Sequence, residues 1–284
     1  MAWACSGKTN IELVNNMLNA GLFKSELVGE ALRRVDRANY VRNKHEAYYD
    51  SPQSIGHAAT ISAPHMHAHA AEHLLPLLTP GAKVLDVGSG SGYTCAIFHH
   101  LVNPTGTEGG KVVGIEHISE LVDWSIDNLK RDGLGAHIES GTIKMVCGDG
   151  RLGYRPAGPY NVIHVGAASP VMPEPLIDQL AKPGRMFIPG ERPVFTPFPH
   201  AAFGYNTSLR ELYDYPQPRI QPLFLMSIGV DYADRSVVGP DGGAQYIYQV
   251  DKDQSGNVKQ EKLFGVRYVP LTEEKSQRAE SVYY

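Results

Sequence analysis

Three carboxylates and a run of glycines are the residues best placed to do chemistry in this chain. Asp86 stands two residues before the first glycine of Asp86-Val87-Gly88-Ser89-Gly90-Ser91-Gly92-Tyr93, Glu116 closes a second apolar run, and Asp149 lies within Gly148-Asp149-Gly150. An apolar segment precedes each acid, so each is expected at or just after a strand end. Glycines there let a ligand approach the backbone, and the helix-like run Thr94–Val102 behind them offers free N–H groups. The pattern is D-x-G-x-G-x-G, because Tyr93 stands where the dinucleotide motif wants its third glycine. A carboxylate at Asp86 repels a pyrophosphate but suits a cationic ligand such as S-adenosylmethionine, which carries a sulfonium and an ammonium. Glu116 can accept both ribose hydroxyls and Asp149 an adenine amino proton. The chemistry indicated is methyl transfer. A nicotinamide dehydrogenase would share Glu116 without the placement of Asp86. A tight turn with no ligand is the plain structural alternative, and each acid alone could merely cap a helix.

Other side chains point less far. His57, His65, His67, His69 and His73 crowd one region, with His65/His69 and His69/His73 spaced to share a helix face. There is no H-E-x-x-H and no cysteine nearby, so hydrogen bonding and cleft lining explain them better than a metal. Ser62 has no G-x-S-x-G around it, which argues against a hydrolase nucleophile. The net charge of -4 disfavours general affinity for nucleic acid, and Cys5, Cys95 and Cys147 form no C-x-x-C pair. No basic head leads into an apolar run, and no stretch approaches membrane-spanning length. The expectation is a soluble cytosolic protein.

The elements that must position these groups follow from periodicity. Helices are expected from Thr9 or Asn10 to Gly21 and after Ser25. Residues 40–62 read as irregular, and a helix from Pro64 to Leu78 stops at Thr79-Pro80-Gly81. Strands are expected at Lys83–Val87, Lys111–Glu116, Ile143–Cys147, Tyr160–Val165 and Arg185–Ile188, with helices at Ile118–Arg131 and Pro175–Ala181 and a turn at Pro183-Gly184. The alternation implies an α/β, doubly wound, mostly parallel sheet of Rossmann-like type. A helical cap precedes it and a strand pair, Tyr246–Val250 and Leu263–Val269, follows. With 42% apolar residues in 284, the chain can bury a full core. The organisation expected is 1–80 as helices and loop, 81–190 as cofactor-binding core, 191–240 as a proline- and aromatic-rich surface insertion, and 241–284 as closing strands and a polar tail.

Beyond the glycine turn, Asp50-Ser51-Pro52-Gln53-Ser54-Ile55-Gly56 and Ala59-Thr60-Ile61-Ser62-Ala63-Pro64-His65-Met66-His67 resemble the signature of protein-L-isoaspartate (D-aspartate) O-methyltransferases, eukaryotic type. So do Met1-Ala2-Trp3, Asp86–Gly92, Gly148-Asp149-Gly150-Arg151, Ile163-His164-Val165-Gly166-Ala167-Ala168 and Val266-Arg267-Tyr268-Val269-Pro270-Leu271-Thr272. The resemblance runs in order over nearly the whole chain. It departs at 191–240, which has no counterpart in the family pattern, and at His57, where an aromatic residue is familiar.

The resemblance implies methyl esterification of L-isoaspartyl, and less well D-aspartyl, carboxylates in damaged proteins and peptides. The ester collapses to a succinimide, which hydrolyses partly to aspartate. It implies S-adenosyl-L-methionine as cofactor, S-adenosyl-L-homocysteine as product, and a monomer without nucleic acid, membrane or metal. Ser62 is the implied active-site residue, in a hydrogen-bonding role. Ala59, Thr60, Ile61, Ser62 and His67 would border the cofactor's methionine. Gly88, Ser89, Gly90 and Ser91 would form the turn, Glu116, His117, Asp149 and Gly150 would meet ribose and adenine, and Thr272 and Gln277 would reach over the pocket. A methyltransferase for small molecules or nucleic acid, and a non-catalytic adaptor using the insertion, are the remaining alternatives.

Overall fold

The computed structural model describes residues 5–190 and 245–280. In chain order the elements are α1 (Asn10–Asn19), α2 (Glu26–Arg34), β1 (Gln53–Gly56), β2 (Ala59–Ile61), α3 (Pro64–Leu74), β3 (Lys83–Val87), α4 (Tyr93–Val102), β4 (Lys111–Glu116), α5 (Ser119–Arg131) and α6 (Gly135–Glu139). There follow β5 (Ile143–Cys147), β6 (Tyr160–Val165), α7 (Glu174–Asp178), β7 (Leu180–Gly190), β8 (Gln245–Lys252), β9 (Val258–Val266) and α8 (Glu274–Glu280). Seven strands form one sheet in the order β5-β4-β3-β6-β7-β8-β9. Neighbours from β5 to β7 are parallel, and β8 and β9 add an antiparallel pair at one edge.

Strand order reverses between β3 and β6, and a crevice opens where the loops leaving such strands diverge. Alternation along β3 sends Val84 and Asp86 to one face and Leu85 and Val87 to the other. On the first face Val84 shares a core with Leu13, Leu32, Ala71 and Phe98, so α1 to α4 are bound into it. On the second, Leu85 and Val87 pack with Ile163, Leu176, Met186 and Val250. The cap of α1 is Thr9, whose hydroxyl accepts from the Glu12 N–H at 3.2 Å. Ser25 makes no cap bond to α2; its hydroxyl donates instead to Glu72 of α3 at 2.9 Å.

Four expectations need correction. Residues 53–61 are not irregular but form the antiparallel hairpin β1–β2, turning at His57 and Ala58 with φ of 56° and 52°. Asn-Gly would have announced such a turn; His-Ala does not. Helix α3 ends at Leu74 and continues only as a 3-10 turn, Leu75–Leu77, because Pro76 has no N–H to extend the α ladder. The predicted turn at Pro183-Gly184 is a bulge inside the continuous strand β7, where Tyr160 and Val162 face Leu180 and Arg185. The last strand, expected at Leu263–Val269, runs instead over Val258–Val266, where it pairs with β8; the polar tail carries α8. The 191–240 insertion and Met1-Ala2-Trp3 lie outside the described residues. Gly190 nevertheless pairs with Tyr246, so the chain leaves and rejoins the sheet at adjacent positions.

One packed cluster makes stability depend on pH. His99 of α4 is 2% exposed, with its ring 4.1 Å from that of His137 and 5.6 Å from that of His100. Burial, then repulsion from His137 and His100, pulls His99 down to about 4; burial, then Arg34 and His137, does the same for His100. Unfolded histidine titrates near pH 6.5. Between about 6.5 and 4 the unfolded chain therefore binds more protons, and folded stability is lost as pH falls. Thermal unfolding should show Tm dropping steadily through that window. A Tm that stays constant there would show that these histidines are not held neutral.

Candidate active site

The glycine turn is tied to the neighbouring strand before it is tied to anything else. Gly88 and Ser89 donate their N–H groups to the Ile115 carbonyl at 2.9 and 3.2 Å. Gly88 and Gly90 take φ of 71° and 48°, the left-handed region open to glycine. A Cβ on Gly90 would stand 3.1 Å from Ile55 Cδ1, so the hairpin β1–β2 sits close over the turn. Glu116, 6% exposed, completes the junction. Its Oε2 accepts from Gly90 N at 3.1 Å, and Oε1 from His117 N at 2.8 Å and Ile118 N at 3.1 Å. A carboxylate has about four acceptor positions, which leaves capacity for a ligand hydroxyl.

A cleft of about 540 Å³, its open mouth included, runs along this junction. Its walls include Gly88, Gly90, Glu116, His117 and Gly150 from the parallel strands, Ile55, Ala59 and Thr60 from the hairpin, and Thr272 and Gln277 from the C-terminal segment. Gln277 closes one end. His117 Nε2 donates to Gln277 Oε1 at 2.6 Å, and Gln277 Nε2 donates to the His57 carbonyl at 2.9 Å. An ion pair seats α8, since Arg278 meets Glu120 of α5 at 2.7 Å, and a second within the helix joins Arg278 to Glu274 at 2.8 Å.

Several predicted residues stand behind the wall. Asp86 was expected to face a cationic ligand directly; its carboxylate is 1% exposed and turned into the first face of the sheet. It accepts from His164 Nδ1 at 2.7 Å and from Cys95 Sγ at 3.2 Å. Burial first, then Asp86, pushes the Cys95 thiol well above its usual value, so it remains a donor. The reason is register: Asp86 lies opposite His164 across β3–β6, and both point to the same face. Asp149 is occupied too. It caps the turn by accepting from Arg151 N at 3.0 Å and is held below its usual carboxylate range by the Arg151 guanidinium, whose Nη2 lies at 2.7 Å. Its neighbour Gly150 reaches the wall instead.

Ile61 and Ser91 are buried, and Ser89 is buried with no partner for its Oγ among the described residues. The Ser62 carbonyl accepts from Arg37 Nη2 at 2.8 Å and His67 Nε2 at 3.2 Å. Burial raises the neighbouring Tyr268 phenol to about 12, opposed by the Ser62 side chain. His65 Nδ1 bonds Asp50 at 2.8 Å, while the rings of His69 and His73 lie against Phe264.

Residues not named as site residues from sequence also line the cleft: Ile55, Ile115, Gly166, Ala167, Val269, Pro270 and Leu271. Gly166-Ala167 follow directly on β6, where the strand reversal puts ligands, so that position was a usable signal. Val269–Leu271 fall within the family signature that ends at Thr272, but nothing in their own periodicity points to the cleft. They are brought in by Ala168, whose N–H donates to Val269 O at 2.8 Å and whose carbonyl accepts from Leu271 N at 2.7 Å.

An open α/β sheet with a glycine turn after its first parallel strand, an acid ending the next, and a cleft across both has the architecture of a Rossmann-like methyltransferase. The comparisons make this particular. The chain belongs to the family described as protein-L-isoaspartate(D-aspartate) O-methyltransferase (PCMT), which matches residues 8–196, and it is a carboxyl methyltransferase of that family. A protein-L-isoaspartate O-methyltransferase of Caenorhabditis elegans is 46% identical over 192 residues, 68% of this chain and 82% of its own. One from Archaeoglobus fulgidus is 34% identical over 262 residues, 92% of this chain and 91% of its own. A crystal structure of a Plasmodium falciparum protein assigned to the same family, in complex with S-adenosyl-L-homocysteine, aligns with a TM-score of 0.70 at 26% identity. That alignment covers 94% of this chain and 99% of the other.

Gly150 tests how tightly the wall is built. A Cβ there would lie 2.6 Å from Val87 Cγ1, inside contact distance. Gly150→Ala should therefore cost about 1–3 kcal/mol of stability, as overpacked buried positions do. Urea unfolding measures it, and an unchanged midpoint would show that Asp149–Gly150 moves freely away from β3.

Proposed function

We propose that this cleft takes S-adenosyl-L-methionine and that the chain esterifies the free carboxylate of L-isoaspartyl residues, and less well D-aspartyl residues, in damaged proteins and peptides. The observation that carries the reading is the placement of the hairpin. One wall, Gly88 to Glu116, offers glycine backbone and a ribose acceptor; the facing wall, Ala59-Thr60, runs straight into Ser62. The residues fit the cofactor, with Glu116 for a ribose hydroxyl, Gly88 to Gly90 for close backbone approach and the Ser89 hydroxyl, without a partner among the described residues, as a spare hydrogen-bonding group. Asp86 acts in this reading from behind the turn, as a buried charge rather than a contact. Asp149 acts through Gly150, and His67 through Ser62.

When bound, S-adenosyl-L-methionine supplies an electrophilic methyl carbon, whose bond to sulfur breaks as a carboxylate oxygen bonds to it. The protein needs no general base for this, because a carboxylate of pKa about 4 is already ionised at neutral pH. Its work is to exclude water and to hold that oxygen in line, about 3 Å from the methyl. Ser62 orients the acceptor carboxylate by a hydrogen bond, with no covalent intermediate. Segments 1–80, 81–190 and 241–284 all contribute to the cleft and act as one unit in this proposal. The chain works as a cytosolic monomer; among the described residues no helix is long and apolar enough to cross a membrane.

An isoaspartyl carboxylate sits directly on the α-carbon, and an aspartyl carboxylate lies one methylene away. Paired peptides differing only in that linkage should differ in rate by orders of magnitude. Comparable methylation of both would sink the assignment. Glu116→Ala should weaken S-adenosylhomocysteine binding, read by calorimetry, by about 1.5–3 kcal/mol, since a charged acceptor is lost; an unchanged Kd would place the ribose elsewhere. Ser62→Ala should lower kcat and raise the peptide KM while leaving a folded protein with residual activity. Mass spectrometry that trapped a methylated or acylated Ser62 during turnover would contradict the positioning role.

A further inference from the structure

We propose that Arg37 is a positioning residue for the substrate carboxylate, acting through Ser62; the inference rests on the reading of Ser62 given above. Arg37 follows α2 and is fully buried, with its guanidinium 5.3 Å from the centre of the Tyr93 ring. Nη2 donates to the Ser62 carbonyl at 2.8 Å. Nε and Nη1 have no hydrogen-bond acceptor, and no carboxylate forms an ion pair with the group, among the described residues. Burial draws the guanidinium down to about 10, against the opposing influence of Tyr93 and Asp50, so it still carries its charge at neutral pH. A buried cation with no ion pair, only partly offset by Tyr93 and Asp50, is retained at a cost in stability.

The same carbonyl takes a second donor, His67 Nε2, at 3.2 Å. A carbonyl only accepts, so Nε2 carries the proton. Burial, then the Arg37 charge, holds the His67 ring well below its usual value and hence neutral. Nδ1 is therefore an acceptor, and the Thr94 hydroxyl donates to it at 3.2 Å. Thr94 stands in the first turn of α4, directly behind the glycine turn. Arg37 from one side, and His67 with Thr94 from the other, thus fix the Ser62 peptide and with it the direction of the hydroxyl. Arg37, His67 and Thr94 do not line the cleft assigned to the methyl donor. Nor does Ser62, and it is through the Ser62 peptide that they act on the acceptor.

The test measures KM and kcat for an isoaspartyl peptide, and Kd for S-adenosylhomocysteine, in Arg37→Met, Thr94→Val and Ser62→Ala. Arg37→Met should raise the peptide KM about tenfold or more and Thr94→Val about threefold, with Kd within about twofold of wild type in both. In a Ser62→Ala background neither should raise KM further, because the hydroxyl they orient is gone. An unchanged KM in the single variants, full additivity with Ser62→Ala, or an equal loss of cofactor affinity would overturn the inference. Wild-type KM and kcat in Ser62→Ala itself would instead overturn the reading of Ser62, and the inference with it. Thr94→Val removes one hydroxyl at nearly constant volume and carries the test should Arg37→Met not fold.

Discussion

The junction between β3 and β4 is the constraint on which the rest of the site depends. A chain leaving β3 must turn sharply while keeping its backbone bare, and left-handed glycines allow that. Such a turn would be floppy if its N–H groups faced only water. Here the Ile115 carbonyl takes two of them, and Glu116 takes a third together with two from its own following turn. One acidic residue therefore sets the shape of the turn and remains exposed to the cleft. Its capacity as a ligand acceptor and its structural duty are inseparable.

Around that junction the enclosure is assembled from parts far apart in sequence. Ile55 of the hairpin covers Gly90, Arg42 lies 3.8 Å over the Trp124 ring of α5, and Gln277 joins the hairpin tip to His117. The hairpin and α8 are small elements with little apolar area of their own. The hairpin is anchored by Ile55 and Ile61 in the core, whereas α8 is held by polar contacts to the rim. The parallel sheet beneath, buried on both faces, supplies the rigidity.

The chemistry explains why the site is sparse. Methyl transfer to a carboxylate asks for desolvation and alignment, and neither needs a titrating group at neutral pH. The strongly polar side chains accordingly sit one layer back. Asp86 is locked between His164 and Cys95, Asp149 is clasped by Arg151, and Arg37 and His67 grip the Ser62 peptide from inside. Groups that look catalytic by type serve to hold backbone in place.

The sequence alone determined the sheet and the identity of the turn. Apolar runs ending in Asp86, Glu116 and near Asp149, each followed by glycine or helix signals, specify local conformations, and local conformation is what periodicity encodes. It also determined that Glu116, His117 and Gly150 stand at strand ends. The tertiary structure decided which way they face. Asp86 and Glu116 read alike in the sequence, but strand register turns the first toward His164 and leaves the second at the rim. The hairpin at 53–61 escaped notice because His57-Ala58 is not a turn sequence, and its pairing is held by the surface it covers. Val269–Leu271 join the wall only through bridges to Ala168, a contact between segments a hundred residues apart. No local pattern encodes such a meeting, because it exists only once both surfaces are packed.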